Sequence, residues 1–203
     1  MKNVRYQLLT VIACSILLAP TLSKAALFVE PSVTQESSIL KVTNPSTFSG
    51  DQDEKINGLG AGLRAGIHFA EIFFLAGDAR YSRPRYESDA LGGSADATAY
   101  NLGVTFGGQV PIFGLRAWAT SILDGQLNPD KIGATDVKYT GFNGYRIGAG
   151  IKIILVSLNL EYQEAKYNTA ELESFGPFTS GAKSALEGTQ KGYILSVSFP
   201  FAD

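Results

Sequence analysis

The residue types that most often perform chemistry are scarce in this sequence. Its 203 residues contain one histidine, His68, and one cysteine, Cys14. A single histidine excludes a two-histidine relay and a histidine-rich metal site. The spacing Gly60-x-Gly62-x-x-Ala65 is similar to a dinucleotide-binding fingerprint, but it lies inside an alternating strand pattern instead of between a strand and a helix. We therefore expect no enzymatic activity, no cofactor and no bound metal.

Charged residues are few, and some of them stand alone at alternate positions in apolar or glycine-rich segments. They make up 18% of the chain, against about 25% in soluble domains. The isolated set is Glu30, Arg64, Asp78, Arg80, Arg116, Arg146, Lys152 and Glu161. An unpaired buried charge costs several kcal/mol, so we expect these groups to interlock as a network that plugs a narrow interior. The alternative is a gated ion path lined by the same residues.

The first 25 residues have the features of a cleaved signal peptide. Lys2 and Arg5 precede an apolar stretch over 8–18, and small residues occupy Ser23 and Ala25, ahead of a cut before Ala26. We thus predict a signal peptide over 1–25 and a single domain over 26–203.

A second cleavage site is also present, since residues 11–14 resemble the lipobox before a lipid-modified Cys14. The apolar run continues past Cys14, which favours the first cut. Loss of Lys2, Arg5 and Lys24 would change the net charge from −2 to −5. The mature chain would then hold no cysteine, and disulfides could not stabilise it.

Apolar and small or polar residues alternate through most of the mature sequence. Over 57–69, Leu59, Leu63 and Ile67 share one face, and glycines with Arg64 and His68 share the other. Similar patterns occupy 27–36, 73–82, 100–110, 113–122, 139–153, 156–163 and 192–201. They predict eight strands. In the fifth, Arg116 and Trp118 share a face whose direction the pattern leaves open.

The predicted connections alternate between tight turns and long polar loops. Turns fall near 70–71, 111–113 and 154–155, and loops cover 37–56, 83–97, 123–137 and 168–188. This layout indicates an all-β fold, an eight-stranded antiparallel up-and-down transmembrane β-barrel, with loops outside and both termini in the periplasm. A soluble eight-stranded lipocalin-type barrel or β-sandwich is the alternative, but too few charges remain to cover a soluble exterior.

The last predicted strand carries the most specific motif. Apolar residues alternate up to a near-terminal aromatic: Tyr193, Leu195, Val197, Phe199 and Phe201. The motif resembles the C-terminal assembly signal of bacterial outer-membrane proteins, which usually end on the aromatic, whereas Ala202 and Asp203 follow here. With the signal peptide, the whole mature chain resembles the small outer-membrane β-barrels of OmpA, OmpX and opacity type.

That resemblance implies a monomer in the bacterial outer membrane, in contact with outer-membrane lipid and lipopolysaccharide and inserted by the barrel-assembly machinery. It implies a surface-exposed structural or adhesin-like role, with an extracellular ligand bound through the loops. The alternatives are a narrow channel for small or apolar solutes and a lipid-modifying outer-membrane enzyme. Because the mature chain is acidic and has no basic patch, we expect no nucleic-acid binding.

Overall fold

The computed structural model describes residues 26–43, 52–69, 72–89, 91–110 and 112–202. The predicted signal peptide and lipobox lie outside these residues. Within the described part of the chain, no helix is long and apolar enough to cross a bilayer.

The described residues form one closed antiparallel sheet with eight positions around the ring. Two of these positions are each filled by two consecutive segments: β6 and β7 both pair with β5 and β8, while β9 and β10 both pair with β1. The pairing of β9 with both β8 and β1 closes the ring. The segments are β1 (Ala26–Thr43), β2 (Gln52–Phe69), β3 (Phe73–Ser88), β4 (Gly93–Val110), β5 (Leu115–Pro129), β6 (Thr135–Thr140), β7 (Asn143–Ile153), β8 (Val156–Phe175), β9 (Phe178–Ser198) and β10 (Phe201–Ala202).

The two ends of the barrel differ in their connections. One end, which we call the turn end, holds the start of β1, the short β10 and the turns after β2, β4 and β7. The turn after β7 consists of Ile154 and Leu155, and Ile154 has a φ of 59°. The opposite end, which we call the hairpin end, carries the longer hairpins. The predicted eight-stranded barrel is therefore confirmed.

A girdle of outward-facing tyrosines divides the barrel across its height. Two cross-strand pairs belong to it, Tyr81 with Tyr100 and Tyr162 with Tyr193, and Tyr145 completes it. Between this girdle and the turn end the exterior is apolar, with exposed Leu63, Leu75, Leu102, Val104, Phe106, Ile147, Leu160 and Leu195. Such a band beside an aromatic girdle is the lipid-facing surface of a transmembrane barrel.

The expectation of four long loops is wrong, because the strands continue past the girdle into all of these segments. On β3 the alternation of exposed and buried residues runs on to Ser88. Beyond the girdle the polar and apolar faces of the strand are exchanged. Arg83, Arg85 and Glu87 face out, whereas Tyr86 faces in and is buried. Outward charges are typical of loops, which is why the sequence pattern misplaced the strand ends.

The inverted segments enclose a second apolar interior, which we call the upper core. It consists of Leu40, Ile56, Tyr86, Ala97, Ile122, Leu127, Tyr139, Phe142, Ala165 and Tyr167. The rings of Phe142 and Tyr167 stack with centroids 4.5 Å apart, and the hydroxyls of Tyr86 and Tyr139 lie 3.1 Å apart. Beyond the girdle the barrel is thus built as a soluble barrel is, with apolar residues inside.

The inversion predicts a large and a small loss of stability for the same substitution at two outward positions of β2. Leu63→Arg places a charge in the lipid-facing band and should lower the free energy of unfolding by about 2–4 kcal/mol. Asn57→Arg, six residues further along the same exposed face, should cost less than about 1 kcal/mol. Urea titrations in lipid vesicles, followed by the fluorescence of the single tryptophan, measure both. Equal losses at the two positions would contradict the proposed membrane boundary.

Candidate functional site

Charged side chains converge inside the membrane-spanning half of the barrel. Seven of them form what we call the lumen network: Glu30, Arg64, Asp78, Arg80, Arg116, Arg146 and Glu161. Strand alternation turns all seven inward, and the register brings them to similar heights. Arg64, for example, stands directly opposite Glu30 of β1 and Asp78 of β3.

Asp78 is the carboxylate that the most guanidinium groups share. Arg64 donates from Nε at 2.9 Å, Arg80 from Nε at 3.1 Å and Arg146 from Nη1 at 3.1 Å. The side chain of Asp78 is almost fully buried. Three arginines on three different strands therefore share one buried acid, and Asp78 is the one carboxylate that pairs with Arg146 among the ion pairs of the described residues.

Glu161 of β8 closes the network across the barrel. Its Oε1 accepts from Arg64 Nη2 at 2.6 Å, from Arg80 Nη2 at 3.0 Å and from the indole Nε1 of Trp118 at 2.6 Å. Trp118 reaches it because residue 148 is a glycine, where a Cβ would lie about 2.5 Å from the indole ring. Both Arg116 and Trp118 face the lumen, which settles the direction that the sequence left open.

Glu30 and Arg116 form the most regular ion pair of the set. Arg116 donates from Nη1 and Nη2 to the two oxygens of Glu30, at 2.8 and 2.7 Å, and Ser198 donates to Glu30 Oε1 at 2.6 Å. Such two-point pairing fixes orientation as well as charge. It also ties β5 to β1 and β9 across the lumen.

A polar relay, absent from the sequence-based expectation, extends the network towards the hairpin end. Arg146 donates to Gln163 Oε1 at 2.9 and 3.1 Å, and Gln163 Nε2 lies 3.4 Å from Glu36 Oε1. Gln190 donates to the same Glu36 oxygen at 2.6 Å and accepts from Tyr167 at 3.0 Å. Glu36 is the last residue of the predicted strand 27–36, and the alternation of β1 indicates that its side chain faces inward.

Lys152 lies apart from the lumen network. It is half-buried at the turn end, in an open groove of about 430 Å³ beside Gln109, Phe113 and Ile154. The ion pairs of the described residues do not include it. Lys152 has the inward parity of β7, but its position one residue from the end of that strand puts it too low to reach the acids.

An aromatic layer fills the lumen between the network and the turn end. Phe28, His68 and Phe74 pack together, with ring centroids 4.5–5.7 Å apart. The Arg116 guanidinium lies over the Phe74 ring, 5.4 Å from its centroid. His68 is thus buried between aromatic rings, and no acid or serine hydroxyl bonds to it among the hydrogen bonds of the described residues.

The upper core fills the lumen on the other side of the network. The cavity between them, beside Glu36, Leu127 and Phe142, holds about 10 Å³, room for about one water. Glu54 is buried above it and accepts a hydrogen bond from Ser88 at 3.0 Å. Burial raises the pKa of Glu54, the charges of Asp89 and Asp53 add to this, and the Ser88 hydrogen bond opposes it.

Three stacked layers therefore occupy the interior along the height of the barrel. The aromatic layer, the lumen network and the upper core are in mutual contact or separated by a cavity of one water. In an eight-stranded barrel the bore is just wide enough for side chains to fill. Chemically, this arrangement pairs buried charges, and the cavity of about 10 Å³ between the lumen network and the upper core is far smaller than a substrate.

The residues of the predicted assembly signal lie on the outer surface of the last ring position. Tyr193, Leu195 and Val197 face out from β9, and Phe199 and Phe201 continue that exposed row beside β1. The Phe199 amide donates to the carbonyl of Pro31 at 2.9 Å. The row is contiguous and lipid-facing; its part in assembly stays a prediction.

Comparisons with known proteins give only distant similarities. No protein-family model matches the chain, and no curated protein is similar to it in sequence. Among solved structures, it is similar to Neisserial surface protein A, with 12% identity, a TM-score of 0.49 and coverage of 87% of this chain and 99% of that one. It is also similar to Ail, the attachment invasion locus protein of Yersinia pestis, solved with the heparin analogue sucrose octasulfate (12% identity, TM-score 0.44, 85% and 99% covered). A third similar structure is the outer membrane protease OmpT from Escherichia coli (8% identity, TM-score 0.42, 88% and 97% covered).

The shared acid of the lumen network predicts a large difference between two Asp→Asn substitutions. Asp78→Asn leaves three buried guanidinium groups short of a counter-charge and should cost about 3–5 kcal/mol of unfolding free energy. Asp53→Asn removes an exposed pair with Lys41, at 3.6 Å, and should cost less than about 1 kcal/mol. The two free energies come from denaturant titrations of the refolded proteins. A cost at Asp78 no greater than at Asp53 would refute the network as a stabilising plug.

Proposed function

We propose that this chain, which has the fold of the small outer-membrane β-barrels, spans the bacterial outer membrane as a non-conducting scaffold that displays rigid hairpins outside the cell. It acts as a structural or interaction protein of the surface, not as a channel or an enzyme. The hairpin end faces outwards, since barrels of this kind place short turns in the periplasm and longer connections outside.

The upper core is the observation that carries this proposal. A barrel that only crossed the membrane would need strands no longer than the lipid-facing band, about ten residues each. Here β8 has 20 residues and β9 has 21, and ten buried apolar residues hold the projecting part together. Such a core keeps the hairpins in place beyond the membrane, which is what a display function requires.

The filled lumen favours a scaffold function and argues against a channel function. An ion that crossed the barrel would have to displace both the lumen network and the upper core, whose side chains touch from strand to strand. The cost of breaking up buried, paired charges weighs against such a path.

The position of His68 supports a non-enzymatic role. An outer-membrane enzyme that acts on lipopolysaccharide or on external peptides needs its catalytic groups at the outer end. His68 lies at the other end, between Phe28 and Phe74, where neither substrate has access.

Planar lipid bilayers test the absence of conduction. The refolded protein, checked by heat-modifiable gel mobility, should give no current steps above those of protein-free bilayers, because the lumen network and the upper core of the described residues fill the bore. Steps of constant amplitude that scale with protein added would favour the narrow channel instead.

Cysteine labelling tests the display and its direction. In a Cys14→Ala background, Pro177→Cys at the hairpin end should react with a membrane-impermeant maleimide on intact cells. Ile112→Cys is the matched control, because Ile112 is 89% exposed at the turn end; it should react only after the outer membrane is permeabilised. The reverse pattern would mean that the hairpins face the periplasm.

A further inference from the structure

The hairpin formed by β8 and β9 ends in two exposed aromatic rings. Phe175 and Phe178 are directly opposite each other in the ladder, and Gly176 and Pro177 form the turn between them. The two phenylalanines are 60% and 73% exposed. We call residues 175–178 the hairpin tip. Large apolar side chains grouped at a protruding turn indicate a binding surface, because their exposure to water is unfavourable.

Both backbone groups of Gly176 in the turn are hydrogen-bonded within the protein. The Gly176 amide donates to the carbonyl of Ala134 at 2.7 Å, and its carbonyl accepts from Lys131 Nζ at 3.0 Å. Pro177 has no amide hydrogen to satisfy. A protein partner could supply hydrogen bonds to such a turn, whereas hydrocarbon supplies none. Internal pairing therefore suits the hairpin tip to a lipid environment.

The distance from the girdle separates the hairpin tip from the barrel's own membrane. Phe175 is thirteen residues beyond Tyr162 of the girdle along β8. With a rise of about 3.3 Å per residue and a tilt of about 40°, this places the tip roughly 30 Å above the girdle. The upper core holds the strands below it, so the tip does not fold back to its own bilayer.

The charges around the hairpin tip have no positive excess. Lys183 pairs with Glu171 at 3.4 Å, and Lys131 at the tip is offset by Asp136, which lies opposite Ser174. Glu173, two residues before Phe175, adds one negative charge. A cationic surface would select anionic lipids, but this one has no excess of positive charge. The two phenylalanines are then the main source of affinity.

We infer that the hairpin tip inserts Phe175 and Phe178 into the bilayer of an apposed membrane, and that it takes neutral, zwitterionic lipid without a requirement for anionic lipid. The inference rests on the proposed surface display and names the partner as a lipid surface. It makes the barrel a bridge between two membranes, with one end held by the girdle and the other by two aromatic side chains.

Flotation with vesicles of pure phosphatidylcholine tests the inference. The protein, held in lipid nanodiscs with the hairpin end exposed, should float with the vesicles, and 0.5–1 M salt should leave the bound fraction unchanged. The double variant Phe175→Ser/Phe178→Ser should lose at least tenfold in partition coefficient, whereas Phe175→Leu/Phe178→Leu should keep most of it. Leu91→Ser, on the shorter hairpin between β3 and β4 and 39% exposed, is the matched control and should not change binding.

Three results would overturn the inference: no flotation of the wild type, undiminished flotation of the double serine variant, or binding that requires anionic vesicles and disappears in salt. Labelling of Pro177→Cys on intact cells tests the surface display independently of lipid binding. Labelling without vesicle binding would leave the display intact and remove only the lipid partner. Gel mobility shows whether each variant is folded.

Discussion

A ring of eight strands encloses a space that only side chains can fill, and the other features of this barrel follow from that constraint. No inward group can turn away to solvent, so each charge must find its partner at its own height. Asp78, Glu161 and Glu30 meet this requirement because they accept hydrogen bonds from arginines on neighbouring and facing strands. The lumen network consequently acts as the core of the membrane-spanning half, although it is built of ions and not of hydrocarbon.

The same strands serve two solvents. Below the girdle the surroundings are lipid, so Leu63 is outside and Arg64 is inside; above it they are water, so Arg85 is outside and Tyr86 is inside. The strand period is two in both halves, and only the identity of the exposed face changes. Gln163, Glu36 and Gln190 join the two interiors: Gln163 accepts from Arg146 of the lumen network, both glutamines donate to Glu36, and Gln190 accepts from Tyr167 of the upper core.

The sequence predicted the structure correctly wherever apolar residues face out and polar residues face in along a strand. Alternation placed Arg64, Asp78 and Glu161 inside the barrel, and the spacing of turns indicated the ring of eight. It failed where the rule reversed: charged outward residues such as Arg83 and Glu87 were assigned to loops, so the inward Glu54 and Tyr86 in the same predicted loops were missed. Lys152 shows a second limit of the sequence pattern. Alternation along a strand predicts whether a side chain faces inward, but not whether its position along the barrel axis brings it within reach of a partner.

The hydrogen-bond ladders of β8 and β9 have a mechanical consequence. A load applied at their common turn pulls both strands in the same direction, so the ladder between them carries little of it. The load passes instead to β1, β6 and β7 through ladders that are sheared along their length, where many hydrogen bonds must break together. Under the inferred insertion of the hairpin tip, the eight strands of the closed sheet would share the tensile force, and the contact of Phe175 and Phe178 with lipid would be the weakest element.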